Sequence, residues 1–211
     1  MVRRLGDSIS SNPECPDPSV FYHGFVTISR AALLFKEQWP VQSLEAGKFF
    51  PETASGLTDS FAPDDLKNAK PPADGKIASA GYTEGNAPAL DGTKDPQGND
   101  WKKQPVSSGS ALVITWKFTA GHATRRYNYF MTKPDWDPTK PLARAQFETK
   151  PFHSVQRSER PYWDHPELNP SGPVDHTVTL PSRNGYHVLL GVWEVANTGN
   201  AFYQVVDLDF I

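Results

Sequence analysis

Polar and apolar residues alternate in two neighbouring segments in the middle of the chain. Residues 113–118 form two interleaved sets, as expected for a strand whose two faces meet different surroundings. The alternation stops at Ala120 and Gly121, just before His122, and an aromatic run follows at 127–131. The pattern predicts two strands and a break that displays His122 at the end of a sheet, where rigid scaffolds often carry functional groups.

Other segments of the chain also have the composition of β-strands. They span residues 23–28, 151–155, 176–180, 186–195 and 201–210. The run 186–195 is the most apolar of them, and we expect it to be the central buried strand. Residues 29–36 fit either a short helix or a continuation of the first strand, and the pattern leaves both open.

Residues 38–100 have little periodicity and are rich in Gly, Pro, Asp and Ser. Loops of this length are uncommon in compact domains and are often functional. We predict a large excursion with short helices, packed on one end of the sheet. Short strands separated by turns, without a long 3.6-residue pattern, predict an all-β fold, an antiparallel β-sandwich.

The length of 211 residues suits one domain preceded by a tail. Residues 1–22 are rich in Ser, Pro, Asp and Asn, so we predict a flexible arm or pro-segment there and a domain at 23–211. The net charge of −3 gives no reason to expect nucleic acid or a membrane as partner. Cys15 is the only cysteine, so no intramolecular disulfide can form.

The histidines are the main candidates for chemistry. They are His23, His122, His153, His165, His176 and His187. Their spacing and the lack of a cysteine cluster argue against a closed structural zinc site. His187 lies in the most apolar strand and His165 in an Asp-His-Pro segment, so a core and a surface position are expected. No G-x-S-x-G elbow or phosphate-binding glycine loop is present.

His23, His122 and Phe202 stand at predicted strand starts or breaks, which can share one end of a sandwich. A packing aromatic residue with two polar loop residues is the simpler alternative.

Seven short motifs in this chain occur in the order of a known family. They are HGFV at 23–26, QSLE at 42–45, DGKIAS at 74–79, FTAGH at 118–122, TKPDWDP at 132–138, GYHVLL at 185–190 and NAFYQVVD at 200–207. The chain resembles the bacterial lytic polysaccharide monooxygenases of auxiliary activity family ten, the type-four chitin-binding domain. The resemblance runs from His23 to the C-terminus and implies an immunoglobulin/fibronectin III-like sandwich, with the excursion between its first strands.

The resemblance also implies one copper ion in a histidine brace, formed by the amine and ring of an N-terminal histidine and by a second histidine ring. His23 and His122 match these two positions. Phe202 matches the aromatic residue beside the axial position of the copper, and Ala120 matches the small residue that limits access there. Glu45 matches a glutamate that positions oxygen species. Nitrogen ligands of this kind suit Cu(II).

A flat surface that binds crystalline polysaccharide is a further implication. Trp39 stands where the family has an exposed aromatic ring that lies on sugar chains, with Gln42 close behind it in the motif. A loop-packing Trp39 is the alternative. The implied partners are an insoluble polysaccharide, chitin ahead of cellulose, and an external electron donor. We expect a monomer, with no nucleic-acid or membrane partner.

Two features depart from the family pattern. His23 is preceded by 22 residues, and a peptide nitrogen cannot replace a free amine as ligand because its lone pair is delocalised. The cysteines of secreted members are also replaced, with Phe35, His153 and Val178 standing at or near those positions. Since residues 1–22 also lack the apolar centre of a signal peptide, we expect extracellular location by a non-classical route.

Three hypotheses follow for the function. The first is a copper-dependent monooxygenase that cleaves β-1,4 links of chitin or, second, of cellulose. The second is a non-catalytic chitin-binding protein, because His23 is not N-terminal in this sequence. The third is a structural or toxin-associated protein that reuses the sandwich.

Overall fold

The computed structural model describes residues 23–53, 70–157, 165–196 and 198–211. The predicted arm at 1–22 lies outside them. The strands are β1 Gly24–Val26, β2 Glu45–Gly47, β3 Gln104–Val106, β4 Ala111–Phe118, β5 Thr124–Met131, β6 His153–Gln156, β7 Val174–Thr179, β8 Gly185–Val195 and β9 Asn200–Phe210, and the α-helix is α1 Arg30–Phe35. Short 3-10 helices span Val41–Ser43, Ala87–Asp91, Arg144–Gln146 and Pro166–Leu168.

The strands form two sheets that pack face to face. The smaller sheet has the order β1-β4-β7, and the larger has the order β2-β9-β8-β5-β6, with β3 added in parallel beside β9. The remaining pairs are antiparallel. The predicted antiparallel sandwich is therefore confirmed. Among the described residues, no helix is both long and apolar enough to cross a membrane.

Large aromatic side chains fill the space between the two sheets. Trp116 of β4 reaches across to Tyr127 and Trp193 of the larger sheet, with ring centroids 5.6 and 6.2 Å apart. Its indole N–H donates to the Tyr129 hydroxyl at 2.9 Å. The indole thus buries its apolar surface and satisfies its polar atom at the same time. The alternation seen at 113–118 arises because Ile114 and Trp116 point into this core.

The larger sheet is buried on both faces, which explains the continuous apolar run at 186–195. Its second face is covered by α1 and by residues of the excursion such as Phe50, Ile77 and Leu90. β8 lies between β9 and β5 and is buried from His187 to Val195. The expectation of a central buried strand there is confirmed.

The helix alternative for residues 29–36 is the one that the structure adopts. Ser29 caps α1, because its hydroxyl accepts a hydrogen bond from the Ala32 N–H at 3.1 Å. At the other end Lys36 takes the left-handed conformation with φ 52°, which ends the helix.

Arg30, at the start of α1, forms a buried ion pair with Asp207 of β9. The two side chains are 3% and 1% exposed, and Arg30 Nη2 lies 2.6 Å from Asp207 Oδ1. The Tyr186 hydroxyl donates to the same carboxylate at 2.7 Å, and Arg30 also donates to the Leu90 carbonyl at 2.8 Å. The guanidinium lies 4.3 Å from the ring centroid of Trp101. This network joins α1, the excursion and the larger sheet.

The positions where secreted relatives are expected to carry cysteines are filled by packing. Val178 is fully buried between the sheets. Phe35 is half-buried and packs on the second core, the apolar cluster on the outer face of the larger sheet. The ring of His153 lies 5.9 Å from Tyr129, whose hydroxyl is 2.5 Å from His176 Nδ1. Burial, with repulsion from His153, lowers the pKa of His176 to about 4, so this ring is neutral at pH 7.

Candidate functional site

His23 is held at one end of the sandwich by the pairing of β1 with β4. Gly24 pairs with Phe118, and the Thr119 N–H donates to the His23 carbonyl at 2.9 Å. A Cβ at Gly24 would lie 2.7 Å from Trp193 Cζ3 and 2.8 Å from Phe118 Cδ1, so only glycine allows this close approach. The residue after His23 therefore sets the strand tightly against the inner core.

His122 lies in the turn between β4 and β5, three residues after the backbone partner of His23. The turn is half-buried at Ala120 and at His122. The His122 ring lies 6.1 Å from the Trp193 ring and 6.0 Å from the Phe202 ring, measured between centroids. The break predicted after residue 118 is present, although the second strand begins at Thr124 and not at 127.

The rings of His23 and His122 meet on Phe202. His23 contacts Phe202 edge-on, with centroids 6.0 Å apart, while His122 is tilted by 34° at the same distance. Phe202 is fully buried and stacks on Trp193, its neighbour across β8 and β9, at 4.8 Å. The structure thus brings together the two histidines and the aromatic residue that the sequence placed in one site.

Both burial and the neighbouring ring keep His23 uncharged. Desolvation, followed by repulsion from His122, lowers the pKa of His23 to about 4. At neutral pH the His23 ring is therefore a neutral imidazole with a lone pair, the form that binds metals. Within the described ranges, no group of three or more His, Cys, Asp or Glu side chains is placed to hold a metal.

Glu45 lies beside this cluster on the edge strand β2. It pairs with Phe202 across β2 and β9, so the two side chains project from the same face. Its carboxylate accepts a hydrogen bond from Asn200 Nδ2 at 2.8 Å. Burial raises the pKa of Glu45, and the Asn200 hydrogen bond opposes that shift only in part.

Trp39 and Gln42 lie in and next to the turn before β2. Trp39 is 50% exposed, so about half of the residue is accessible at the surface. Its turn is closed by a hydrogen bond from the Val41 N–H to the Gln38 carbonyl at 3.1 Å. Gln42 is half-buried in the 3-10 helix Val41–Ser43, and its side-chain oxygen is buried in the protein.

A comparison with protein families gives a match over most of the chain. The family model described as "Lytic polysaccharide mono-oxygenase, cellulose-degrading" matches residues 19–208. The chain belongs to this family. The resemblance carried by the seven motifs is therefore confirmed, and so is the immunoglobulin-like sandwich of these monooxygenases.

Individual relatives of this chain have names that refer to binding or to copper. GlcNAc-binding protein A of Vibrio vulnificus is 43% identical over 173 residues, which are 82% of this chain and 29% of that protein. A chitin binding domain from Burkholderia pseudomallei is 45% identical, with a TM-score of 0.82 over 90% of this chain and 100% of that one. The CBM33 of Bacillus amyloliquefaciens in complex with Cu(I) is 29% identical, with a TM-score of 0.62 over 90% of this chain and 100% of that one.

The chain thus spans about three tenths of the length of the curated relatives that it matches.

Three residues of the candidate site were missed by sequence reasoning. Trp193 contacts the His122 ring and stacks on Phe202, on which both histidine rings lie, but its position in an apolar run indicates only burial. Asn200 is the first residue of the motif at 200–207, yet its contact with Glu45 joins positions 155 residues apart. Thr119, which holds the His23 backbone, lies in the FTAGH motif and could have been found from it.

Proposed function

We propose that the chain is a copper-dependent lytic polysaccharide monooxygenase that oxidatively cleaves β-1,4 links of crystalline chitin, with cellulose as the less favoured substrate. The observation that carries this proposal is the meeting of the His23 and His122 rings on Phe202, in a chain that belongs to this family. The proposed unit is the domain 23–211. It would act outside the cell, where insoluble polysaccharide is found.

The residues present fit a copper ion. Two imidazole rings lie on a common aromatic residue, burial keeps His23 neutral, and nitrogen donors are those that Cu(II) prefers. Because the described residues offer no third side-chain ligand nearby, the third nitrogen would be the α-amine of His23. That amine exists only after cleavage between Tyr22 and His23, since an amide nitrogen has no available lone pair.

When bound, copper would supply the redox chemistry that oxidises a C–H bond at the glycosidic link, using oxygen or peroxide and an external electron donor. The protein residues would set the surroundings. Phe202 places an apolar ring against both imidazoles, edge-on to His23 and tilted to His122. Ala120 would limit access beside the copper, and its methyl side chain would still admit a small molecule.

Glu45 would hold a proton or a hydrogen bond beside the reacting groups. Its raised pKa means that the carboxyl stays protonated to a higher pH than an exposed glutamate. The hydrogen bond from Asn200 fixes one carboxylate oxygen, which leaves the other free to orient a small oxygen species.

Two forms of the chain test the proposal, one beginning at His23 and the other at Tyr22. We expect the His23 form to give a tetragonal Cu(II) signal in electron paramagnetic resonance and, with ascorbate, to release oxidised chito-oligosaccharides. The Tyr22 form differs by one residue and should do neither, because its His23 nitrogen is an amide. Equal signals and products from both forms would contradict the brace, and no copper binding by the His23 form would end the oxidative proposal.

Chitin as the substrate is supported by the named relatives and by the exposed ring of Trp39. We expect Trp39→Ala to weaken binding to insoluble chitin about tenfold, or about 1.4 kcal/mol, because a pyranose ring loses its aromatic contact. The measurement is a depletion isotherm with β-chitin. Val113→Ala is the matched control, since Val113 is 52% exposed on the smaller sheet. Equal losses in the two variants would remove Trp39 from the binding surface.

Non-catalytic chitin binding is the second candidate. It is favoured by the amide linkage of His23 in this sequence and by the names of the relatives, which refer to binding. Under this alternative the form beginning at Met1 binds chitin as tightly as the form beginning at His23, and neither form oxidises it.

A further inference from the structure

The ring of Trp39 lies directly against Gly85 in the excursion. A Cβ built on Gly85 would be 2.5 Å from Trp39 Cζ3 and 2.9 Å from Cη2, distances that real Cβ atoms do not tolerate. Gly85 also has a φ of +57°, in the left-handed region that favours glycine. The position therefore needs glycine for two separate reasons, its backbone conformation and the indole beside it.

The segment that carries Gly85 is anchored on both sides. Before it, the Gly81 N–H donates to the Lys76 carbonyl at 2.9 Å, and the Tyr82 N–H donates to the Ser79 carbonyl at 3.0 Å. After it, the 3-10 helix Ala87–Asp91 buries its apolar side chains in the second core. Gly85 itself is exposed, in the turn between these two anchored stretches.

The backbone of Trp39 is fixed as well. Pro40 and Val41, which follow it, are buried, and Val41 closes the turn with Gln38. The indole can then move only by rotating about its side-chain bonds, and the Gly85 segment restricts that rotation on one side. Half of its surface remains exposed.

We propose that Gly85 is a positioning residue for polysaccharide binding. It lets the excursion support the indole of Trp39, so that the exposed part of the ring is already oriented before a sugar chain arrives. This inference rests on the proposed function, because it takes Trp39 as a contact for a β-1,4-linked N-acetylglucosamine chain. It adds to that function a residue that is expected to touch no sugar.

Pre-orientation matters because ordering a side chain on binding reduces affinity. An indole that is free in the unbound protein must be immobilised when a sugar chain binds, and that cost lowers the measured affinity. A ring supported by Gly85 has lost this freedom on folding. A side chain introduced at position 85 would displace the indole ring. It would neither add nor remove a sugar contact of its own.

Gly85→Ala is expected to move the ring and leave the fold intact. The atoms that the new Cβ meets belong to the far end of a flexible side chain, so the indole moves more easily than the backbone. Gly109→Ala is the matched control, because Gly109 lies in a turn away from this segment, with a φ of +72° and no atom within 4 Å of a built Cβ. Both variants introduce strain from a positive φ, but only one displaces Trp39. Gly85→Asn repeats the test with a residue type that tolerates the left-handed region better.

The experiment measures chitin binding and the indole N–H resonances of ¹⁵N-labelled protein beginning at His23, with Trp39→Ala identifying the Trp39 signal. For Gly85→Ala and Gly85→Asn we expect a shifted Trp39 resonance and binding weaker by about threefold to tenfold, the loss expected when one more side chain must be ordered. Gly109→Ala should leave both unchanged. The Cu(II) signal should be the same in all of these proteins.

The outcomes separate this inference from the proposed function. If Trp39→Ala weakens binding while Gly85→Ala binds like Gly109→Ala, the positioning role is wrong and the sugar contact stands. If Gly85→Ala leaves the Trp39 resonance in place, the positioning role is also wrong. If Trp39→Ala itself binds chitin like the unchanged protein, the proposed sugar contact fails and this inference fails with it.

Discussion

Replacing His122 with alanine is expected to lower the affinity of the His23 form for Cu(II) by at least about 100-fold, because even the outer-shell partners of metal ligands change affinity by 10–100-fold. Under the proposed function, the remaining donors would be the amine and ring of a single residue, His23. The measurement is a copper titration followed by calorimetry, with electron paramagnetic resonance to detect any change in geometry. Release of oxidised chito-oligosaccharides should be lost with the copper.

Folding and sugar binding should survive this change, because His122 is half-exposed in a turn and Trp39 is untouched. His165→Ala is the matched control, since His165 is another half-buried loop histidine and its ring nitrogen hydrogen-bonds to Glu167 at 2.7 Å. The control should bind copper like the unchanged protein. Tight Cu(II) binding by His122→Ala would show that this ring is not a ligand.

Asp207→Ala should cost about 3–5 kcal/mol of unfolding free energy, the range found when one partner of a buried ion pair is removed. The change leaves the buried Arg30 guanidinium without its carboxylate and the Tyr186 hydroxyl without its acceptor. Because small domains are stable by only about 5–15 kcal/mol, a large part of the total is lost. Urea unfolding followed by tryptophan fluorescence measures the shift.

An exposed ion pair provides the comparison. Lys94 and Asp100 are 2.6 Å apart, but Asp100 is 68% exposed, so water and salt screen the attraction. Asp100→Ala should leave the urea midpoint nearly unchanged. If Asp207→Ala shifted the midpoint no more than Asp100→Ala, the buried network would contribute nothing to stability.

The long strands could be predicted because burial imposes a pattern on their sequence. β4 alternates since one face meets the core, and β8 is continuously apolar since both faces are covered. β2 and β3 have three residues each and were missed, because only their pairing with β9 makes them strands.

The start of β5 was placed three residues too late for a related reason. Arg125 and Arg126 look like loop residues, but both bind the fully buried carboxylate of Glu194 at 2.7 Å. Hydrophobic periodicity does not reveal a strand whose polar residues are paired with a buried charge.

Site residues could be predicted where a motif carries them and not where a distant contact does. His23, His122 and Phe202 came from short motifs, and the structure brings them together. The pairing of Glu45 with Asn200 and the support of Trp39 by Gly85 join segments far apart in the sequence. Nothing in the local composition of either segment indicates its partner.

In the uncut chain the His23 carbonyl accepts a hydrogen bond from the Thr119 N–H, and Gly24 packs against Trp193 and Phe118. A protease that cut before His23 would therefore release a terminus whose location is set in advance. Under the proposed function, activation would need one hydrolysed bond and no rearrangement of β1, so the precursor would be switched on in a single step.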